Sequence, residues 1–182
     1  MRYLIASDIH GSLPALERIL HFYDRERYDM LLLLGDLLNY GPRNGLPEGL
    51  DPQGVAAALN ERAADIVAVR GNCDSEVDQM LLNFPVSADY ALLVEGRRRI
   101  FLTHGHVYGE ERLPVAGCDV FLYGHTHLAL LKPGTDGRPV ICNTGSPTFP
   151  KGGNPPTFAT MDDGVLRLRH GDDGRVLQEL TL

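Results

Sequence analysis

Residues able to do chemistry recur at one kind of place along this chain. Asp8-x-His10, Gly35-Asp36, Gly71-Asn72-x-Asp74, His104 and Gly124-His125-x-His127 each stand just past a short apolar run. Two histidines separated by one residue would, alone, read as a surface pair. Five placements of the same kind assemble a site. It offers the carboxylates of Asp8 and Asp36, the amide of Asn72, and the imidazoles of His10, His104, His125 and His127. Seven donors are too many for one tetrahedral zinc. They suffice for two divalent ions if one carboxylate bridges them. Mixed carboxylate, imidazole and amide ligands suit manganese, iron or zinc better than magnesium or a structural zinc. Two ions roughly 3.5–4 Å apart can hold a hydroxide at neutral pH and clamp both oxygens of an in-line displacement at phosphorus. Phosphoester hydrolysis is therefore expected; amide hydrolysis is open to the same ligand types.

The elements that position these groups follow from the apolar runs. Arg2–Ser7, Asp29–Leu34 and Asp65–Val69 read as buried strands, nearly all apolar. Ser12 caps a helix with Pro14 in its first turn and a stripe of Leu13, Leu16, Ile19, Leu20 and Tyr23. Asp51-Pro52 opens a second helix that turns Val55, Ala58 and Leu59 inward, and a short helix spans about Ser75–Leu82. Between strand two and that second helix, the Gly/Pro-rich stretch Leu37–Leu50 is a loop, long enough to be functional. Tyr90–Val94 and Arg99–Thr103 form a hairpin, Asp119–Tyr123 is a strand, and Leu128–Leu131 and Val140–Cys142 flank a turn at 133–137. Three further strands make a C-terminal meander. An α/β first half and a β-rich second half imply one domain over 1–182. Its expected fold is a four-layer α/β/β/α sandwich of two mixed sheets flanked by helices, with ligands at the carboxyl ends of the strands.

Composition narrows the classes. The chain has 182 residues, 43% hydrophobic and 23% charged, which is enough for one ordinary globular core. A formal charge of −7 argues against nucleic acid or an anionic membrane as partner. No apolar run reaches the roughly 18 residues of a membrane span, and acidic Asp8 interrupts any signal-peptide pattern. A cytoplasmic protein is expected. Cys73, Cys118 and Cys142 are neither a disulfide framework nor a zinc motif.

The order Asp-x-His, Gly-Asp, Gly-Asn-x-Asp, His, Gly-His-x-His closely resembles the calcineurin-like metallophosphoesterase superfamily. The segments Ser7-Asp8-Ile9-His10-Gly11-Ser12, Gly71-Asn72-Cys73-Asp74, Leu102-Thr103-His104-Gly105-His106 and Asn143-Thr144-Gly145-Ser146 are similar to those of the small bacterial YfcE-type phosphodiesterases. The resemblance implies that Asp8, His10 and His127 hold one metal, that Asn72, His104 and His125 hold the other, and that Asp36 bridges. Two aspartates against two dications leave a positive site that a phosphate would enter. The implied cofactors are two divalent ions, manganese first, with iron, zinc or nickel as alternatives. The implied substrate is a small phosphodiester. The same site would serve a phosphomonoesterase, and retromer's phosphoesterase-like subunit puts a similar fold to use as a scaffold. Whether the chain forms a homo-oligomer is left open.

One position departs from the superfamily. Where many members carry a histidine read as the general acid, this chain has Cys73. A thiol is a poor proton donor for this task, and with no base beside it Cys73 is not expected to be a nucleophile; the plain alternative is packing. His106 is either a substitute donor or a surface histidine. Asp74 either orients a metal-bound group or caps the helix at Ser75, and the two roles are compatible. Arg43, in the long loop, either pairs with a phosphate or is solvated.

Overall fold

The apolar runs pair into two sheets, and their order explains why the chemistry gathers at one edge. The computed structural model describes residues 1–113, 117–135 and 137–182; of the turn expected at 133–137, Asp136 lies outside them. In the first sheet, β1 (Tyr3–Ala6), β2 (Met30–Leu33) and β3 (Ile66–Ala68) run parallel. The antiparallel meander β9 (Thr157–Asp162), β10 (Val165–His170) and β11 (Val176–Thr181) completes the order β11-β10-β9-β1-β2-β3. The second sheet has the order β4-β5-β6-β8-β7, from β4 (Tyr90–Glu95), β5 (Arg98–Thr103), β6 (Val120–Tyr123), β7 (Leu130–Lys132) and β8 (Val140–Asn143). Here β5, β6 and β8 are parallel, while the two edge strands are antiparallel to their neighbours.

Alternation along the strands divides the core. Tyr3 and Ile5 of β1 and Leu32 of β2 face Ile100, Leu102, Val120 and Leu122 between the sheets. Their neighbours Leu4, Ala6, Leu31 and Leu33 face the helices. Helix α1 (Leu13–Glu26) is capped by Ser12, whose Oγ accepts the Ala15 N–H, and it buries Leu16, Ile19, Leu20 and Tyr23 as its periodicity requires. Helix α2 (Pro52–Asn60) is capped by Asp51 and buries Val55, Ala56 and Leu59; Ala58, expected inward, is only half-buried. Helix α3 (Glu76–Leu81) carries a capping box between Ser75 and Asp78.

The expected α/β sandwich of two mixed sheets is thus observed, with α1 and α2 outside the first sheet. The outer face of the second sheet, Phe101, Phe121, Tyr123 and Ile141, carries Tyr108, Leu113 and Cys118 from a segment without a helix among the described residues. Gly105, Gly109, Gly117 and Pro114 give that segment little helical propensity. Among the described residues no helix is long and apolar enough to cross a membrane.

Two ion pairs tie the meander to α1, Arg18–Asp172 and the more buried Arg169–Glu26. Arg169 donates to Glu26 through both terminal nitrogens, at 2.6 and 2.9 Å, and also to the Tyr28 hydroxyl and the Gly174 carbonyl. Its guanidinium draws the Glu26 pKa from an ordinary 4.5 to about 2. A carboxyl depressed in this way contributes stability above about pH 4.5, and that contribution is lost as pH falls through about 2. Arg169→Met should therefore lower the free energy of urea unfolding by about 2 kcal/mol at pH 7. The deficit relative to the unaltered protein should shrink as pH falls from 4.5 through about 2, down to the part that the Tyr28 and Gly174 hydrogen bonds contribute.

Candidate metal centre

Parallel strands of both sheets end at one crevice, and each ligand candidate leaves a strand end there by a sharp turn. Asp8 and His10 follow β1, Asp36 follows β2, and His125 and His127 follow β6. All five have left-handed backbone, with φ between 52° and 66°. Such a conformation costs a non-glycine residue about 1–3 kcal/mol unless its surroundings impose it. Here they do. The N–H groups of Asp8, His10 and Gly11 donate to the carbonyls of Gly35, Asp36 and Leu37, sewing the first turn to the second.

The side chains converge in a buried cluster. Asp8, His10 and His104 have no exposed surface, and Asp36 and His127 have almost none. Three imidazoles are oriented alike: Nδ1 of His10, His104 and His127 donates to the main-chain carbonyls of Asn39, Leu34 and Phe149 at 2.7–2.8 Å. That leaves each Nε2 facing the cluster, as a metal-ligating imidazole requires. His127 Nε2 lies 3.3 Å from Asp8 Oδ1, and His10 Nε2 lies 3.6 Å from Asp8 Oδ1 and 3.7 Å from Asp36 Oδ2. His104 Nε2 is 3.4 Å from Asp36 Oδ2 and 3.2 Å from Asn72 Oδ1. His125 presents Nδ1 instead, 3.3 Å from His104 Nε2.

These donors suit cations. Asp8 Oδ1 is fully buried without a hydrogen-bond partner, a costly arrangement for a carboxylate oxygen. Asp8-His10-His127 and Asp8-Asp36-His104 each bring ligand atoms within 4.8 Å of one another, so each triad could hold one ion. Burial alone would raise the Asp8 pKa, but the imidazoles of His10 and His127 outweigh it and hold the carboxyl well below its usual range. Burial works against charge on His104, yet the Asp36 and Asp8 carboxylates raise its pKa to about 9. The cluster therefore attracts positive charge strongly.

The other predicted residues sit around this core. Asp74 is buried, and its carboxylate accepts three main-chain N–H groups, from Asp36, Leu37 and Gly71, at 2.7–2.8 Å. It fixes the Asp36 turn. Ser75, not Asp74, caps α3. The N–H of Cys73 donates to Asp36 Oδ1, and burial together with the Asp36 charge pushes its thiol up to about 12. The thiol is thus protonated at neutral pH. His106 is exposed, its ring 5.3 Å from that of His104, and burial with the nearby His104 charge lowers its pKa. Arg43 lines a cleft of about 690 Å³ that opens over the cluster.

Sequence reasoning passed over four other residues that line this cleft, Asn39, Asn44, Thr126 and Lys151. Lys151 is one of only two lysines in the chain, and the other, Lys132, pairs with Glu110. Among the described residues neither Arg43 nor Lys151 is in an ion pair, so both cations face the cleft available to an anion.

Comparison with known proteins agrees with this geometry. The sequence profile of the calcineurin-like phosphoesterase superfamily domain matches residues 1–163. Phosphodiesterase YfcE of Escherichia coli K12 is 47% identical over 183 aligned residues, covering 100% of this chain and 98% of that protein. A solved structure of the E. coli phosphoesterase YfcE superposes with a TM-score of 0.94 at 46% identity, covering 100% of this chain and 99% of that one. Wild-type Vps29 of Entamoeba histolytica, complexed with zinc, has a TM-score of 0.67 at 20% identity over 100% and 99% of the chains, a likeness of fold.

Two glycines let the ligand turns approach one another. A Cβ on Gly124 would lie 2.0 Å from Ser7 Oγ and 2.6 Å from both Ser7 Cβ and Asp8 Oδ2. One on Gly71 would lie 2.1 Å from Asp36 Oδ1 and 2.3 Å from the Asp36 nitrogen. Gly124→Ala and Gly71→Ala should each lower the free energy of urea unfolding by about 1–3 kcal/mol, the usual cost of overpacking.

Proposed function

Because this chain belongs to the calcineurin-like phosphoesterase superfamily, we propose that it is a metal-dependent phosphodiesterase acting on small phosphodiesters. The observation that carries this reading is the convergence at strand ends of two buried carboxylates, three buried imidazoles and the half-buried His125, with Asp8 Oδ1 left unpartnered. The superfamily depends on divalent metals. In this chain Asp8, His10 and His127 would hold one ion, Asn72, His104 and His125 the other, and Asp36 would bridge. Manganese fits the mixed donor set, with iron, zinc or nickel as alternatives. Three free cysteines suit a reducing compartment, so the cytoplasm is the expected setting.

Two divalent cations, when bound, supply the nucleophile at neutral pH and neutralise charge gathering on the phosphoryl oxygens. The protein's own groups do the rest. Nδ1–H donation to carbonyls holds three imidazoles in the ligating tautomer. Arg43 and Lys151 line the cleft where an anionic diester would enter. The full-length 47% relative, a phosphodiesterase, favours this over a scaffold role, for which only the fold speaks.

The direct test is metal analysis of the purified protein with a screen of aryl mono- and diesters under added manganese. Asp36→Asn should lose metal from both positions and lower turnover by several orders of magnitude. Retention of two metals with near-normal turnover would reject the bridging role. A higher kcat/KM for a monoester than for the diester with the same leaving group would favour the phosphomonoesterase.

The leaving group is where this chain differs. A thiol held near 12 gives up its proton poorly, and the lowered pKa of exposed His106 leaves less of it protonated at neutral pH, so neither is a ready proton donor beside the cleft. Aryloxides, which leave with delocalised charge, need no such acid; alkoxides do. Across substituted phenyl diesters, rate should fall steeply as the leaving group becomes more basic, and Cys73→His should flatten the slope. Equal slopes would show that position 73 does not serve the leaving group.

A further inference from the structure

The segment Asn143-Thr144-Gly145-Ser146 begins at the last residue of β8 and contributes no residue to the cluster, yet it is entirely buried. Its hydrogen bonds, with those of the residues after it, run to the ligand turns. Ser146 Oγ donates to the Asp8 carbonyl at 2.8 Å and accepts the N–H groups of Phe149 and Thr148 at 2.8 and 3.1 Å. Thr148 Oγ1 donates to the Ile9 carbonyl at 2.8 Å. These two carbonyls belong to the peptide units that join Asp8 to His10, both of which have left-handed backbone. The same stretch then reaches His127: the Phe149 carbonyl takes its Nδ1–H, and the Lys151 N–H donates to its carbonyl. The Phe149 ring lies 5.7 Å from that of His10 and 6.4 Å from that of His127.

Asn143 works differently. Its Nδ2 donates to the Gly124 carbonyl and to Thr126 Oγ1, gripping the turn that carries both His125 and His127. The hydroxyls of Ser146 and Thr148 donate to the Asp8–His10 turn, and Ser146 Oγ also accepts the N–H of Phe149, whose carbonyl holds His127. The opposite half of the cluster has its own supports, Asp74 for the Asp36 turn and the Leu34 carbonyl for His104.

We propose that Ser146 and Thr148 are positioning residues that fix the Asp8–His10 turn and so set the affinity of the cation position formed by Asp8, His10 and His127, without setting that of the other position. This rests on the two-cation reading above. Asp8 and His10 must present their side chains from strained backbone, and a carbonyl that lost its buried donor would let the peptide unit rotate. The ligand atoms would then no longer converge with His127 Nε2. Groups that orient ligands in this way are commonly worth about 10–100-fold in metal affinity.

Thr148 gives the cleanest test, because it is only half-buried and valine matches its shape without the hydroxyl. The full chain, stripped of metal, is titrated calorimetrically with Mn2+ as the unaltered protein, Thr148→Val, Thr148→Ser and His127→Ala, with thermal unfolding followed alongside. The unaltered protein should bind two ions. Thr148→Val should weaken one step by about tenfold or more, leave the other within about twofold, and affect the same step that His127→Ala removes. Thr148→Ser should restore it. Ser146→Ala should act in the same direction and more strongly, since three hydrogen bonds go at once. Both steps unchanged in Thr148→Val, both weakened in parallel, or no recovery in Thr148→Ser would overturn the proposal, whatever the melting temperature. A single binding step in the unaltered protein would instead overturn the two-cation reading.

Discussion

Two carboxylates buried side by side in one cluster are the constraint around which this protein is built. Asp8 and Asp36 are both withdrawn from water, where an isolated anion costs far more than a domain of this size can sustain. Positive charge must meet them. Imidazoles answer part of that demand, and each of three is fixed by a main-chain carbonyl so that the remaining nitrogen points inward. Acidity of this kind is local, and its sign is opposite to that of the cleft above it, where Arg43 and Lys151 stand.

Holding that cluster together takes more atoms than form it. Every ligand turn is bonded to another segment: the β1 turn to the β2 turn through main-chain pairs, the β2 turn to the β3 turn through Asp74, and the β6 turn to the end of β8 through Asn143. Glycines at 71 and 124 allow the approach, since any side chain there would enter a neighbouring ligand residue. Precision comes from this mesh. No single strand end is rigid enough to supply it.

The candidate ligands were legible because each is a chemically distinctive residue after a strand, and strands this apolar announce themselves. The parallel pairing of β1 with β2 is what two apolar strands joined by a capped helix imply. What the sequence could not display were partners defined by the main chain. The carbonyls of Leu34, Asn39 and Phe149 orient three histidines, but every residue has a carbonyl, and nothing in its identity marks it. The role of Ser146 was hidden for a related reason: a serine in a turn is common, and its acceptor lies 138 residues away in sequence. Lys151 carried a weak signal in the scarcity of lysine. The loop layer over the second sheet carries no periodicity in the sequence that would have described it.

The left-handed backbone at positions 8, 10, 36, 125 and 127 bears on how such a chain can drift. Its geometry is set by the turns that carry these positions and by the segments bonded to them. Asparagine, aspartate and glycine tolerate it; alanine, valine and leucine do not. A descendant freed from hydrolysis would therefore shed its ligands along a narrow set of exchanges, with glycine and asparagine first. Its old strand ends would remain recognisable by those residues long after the chemistry had gone.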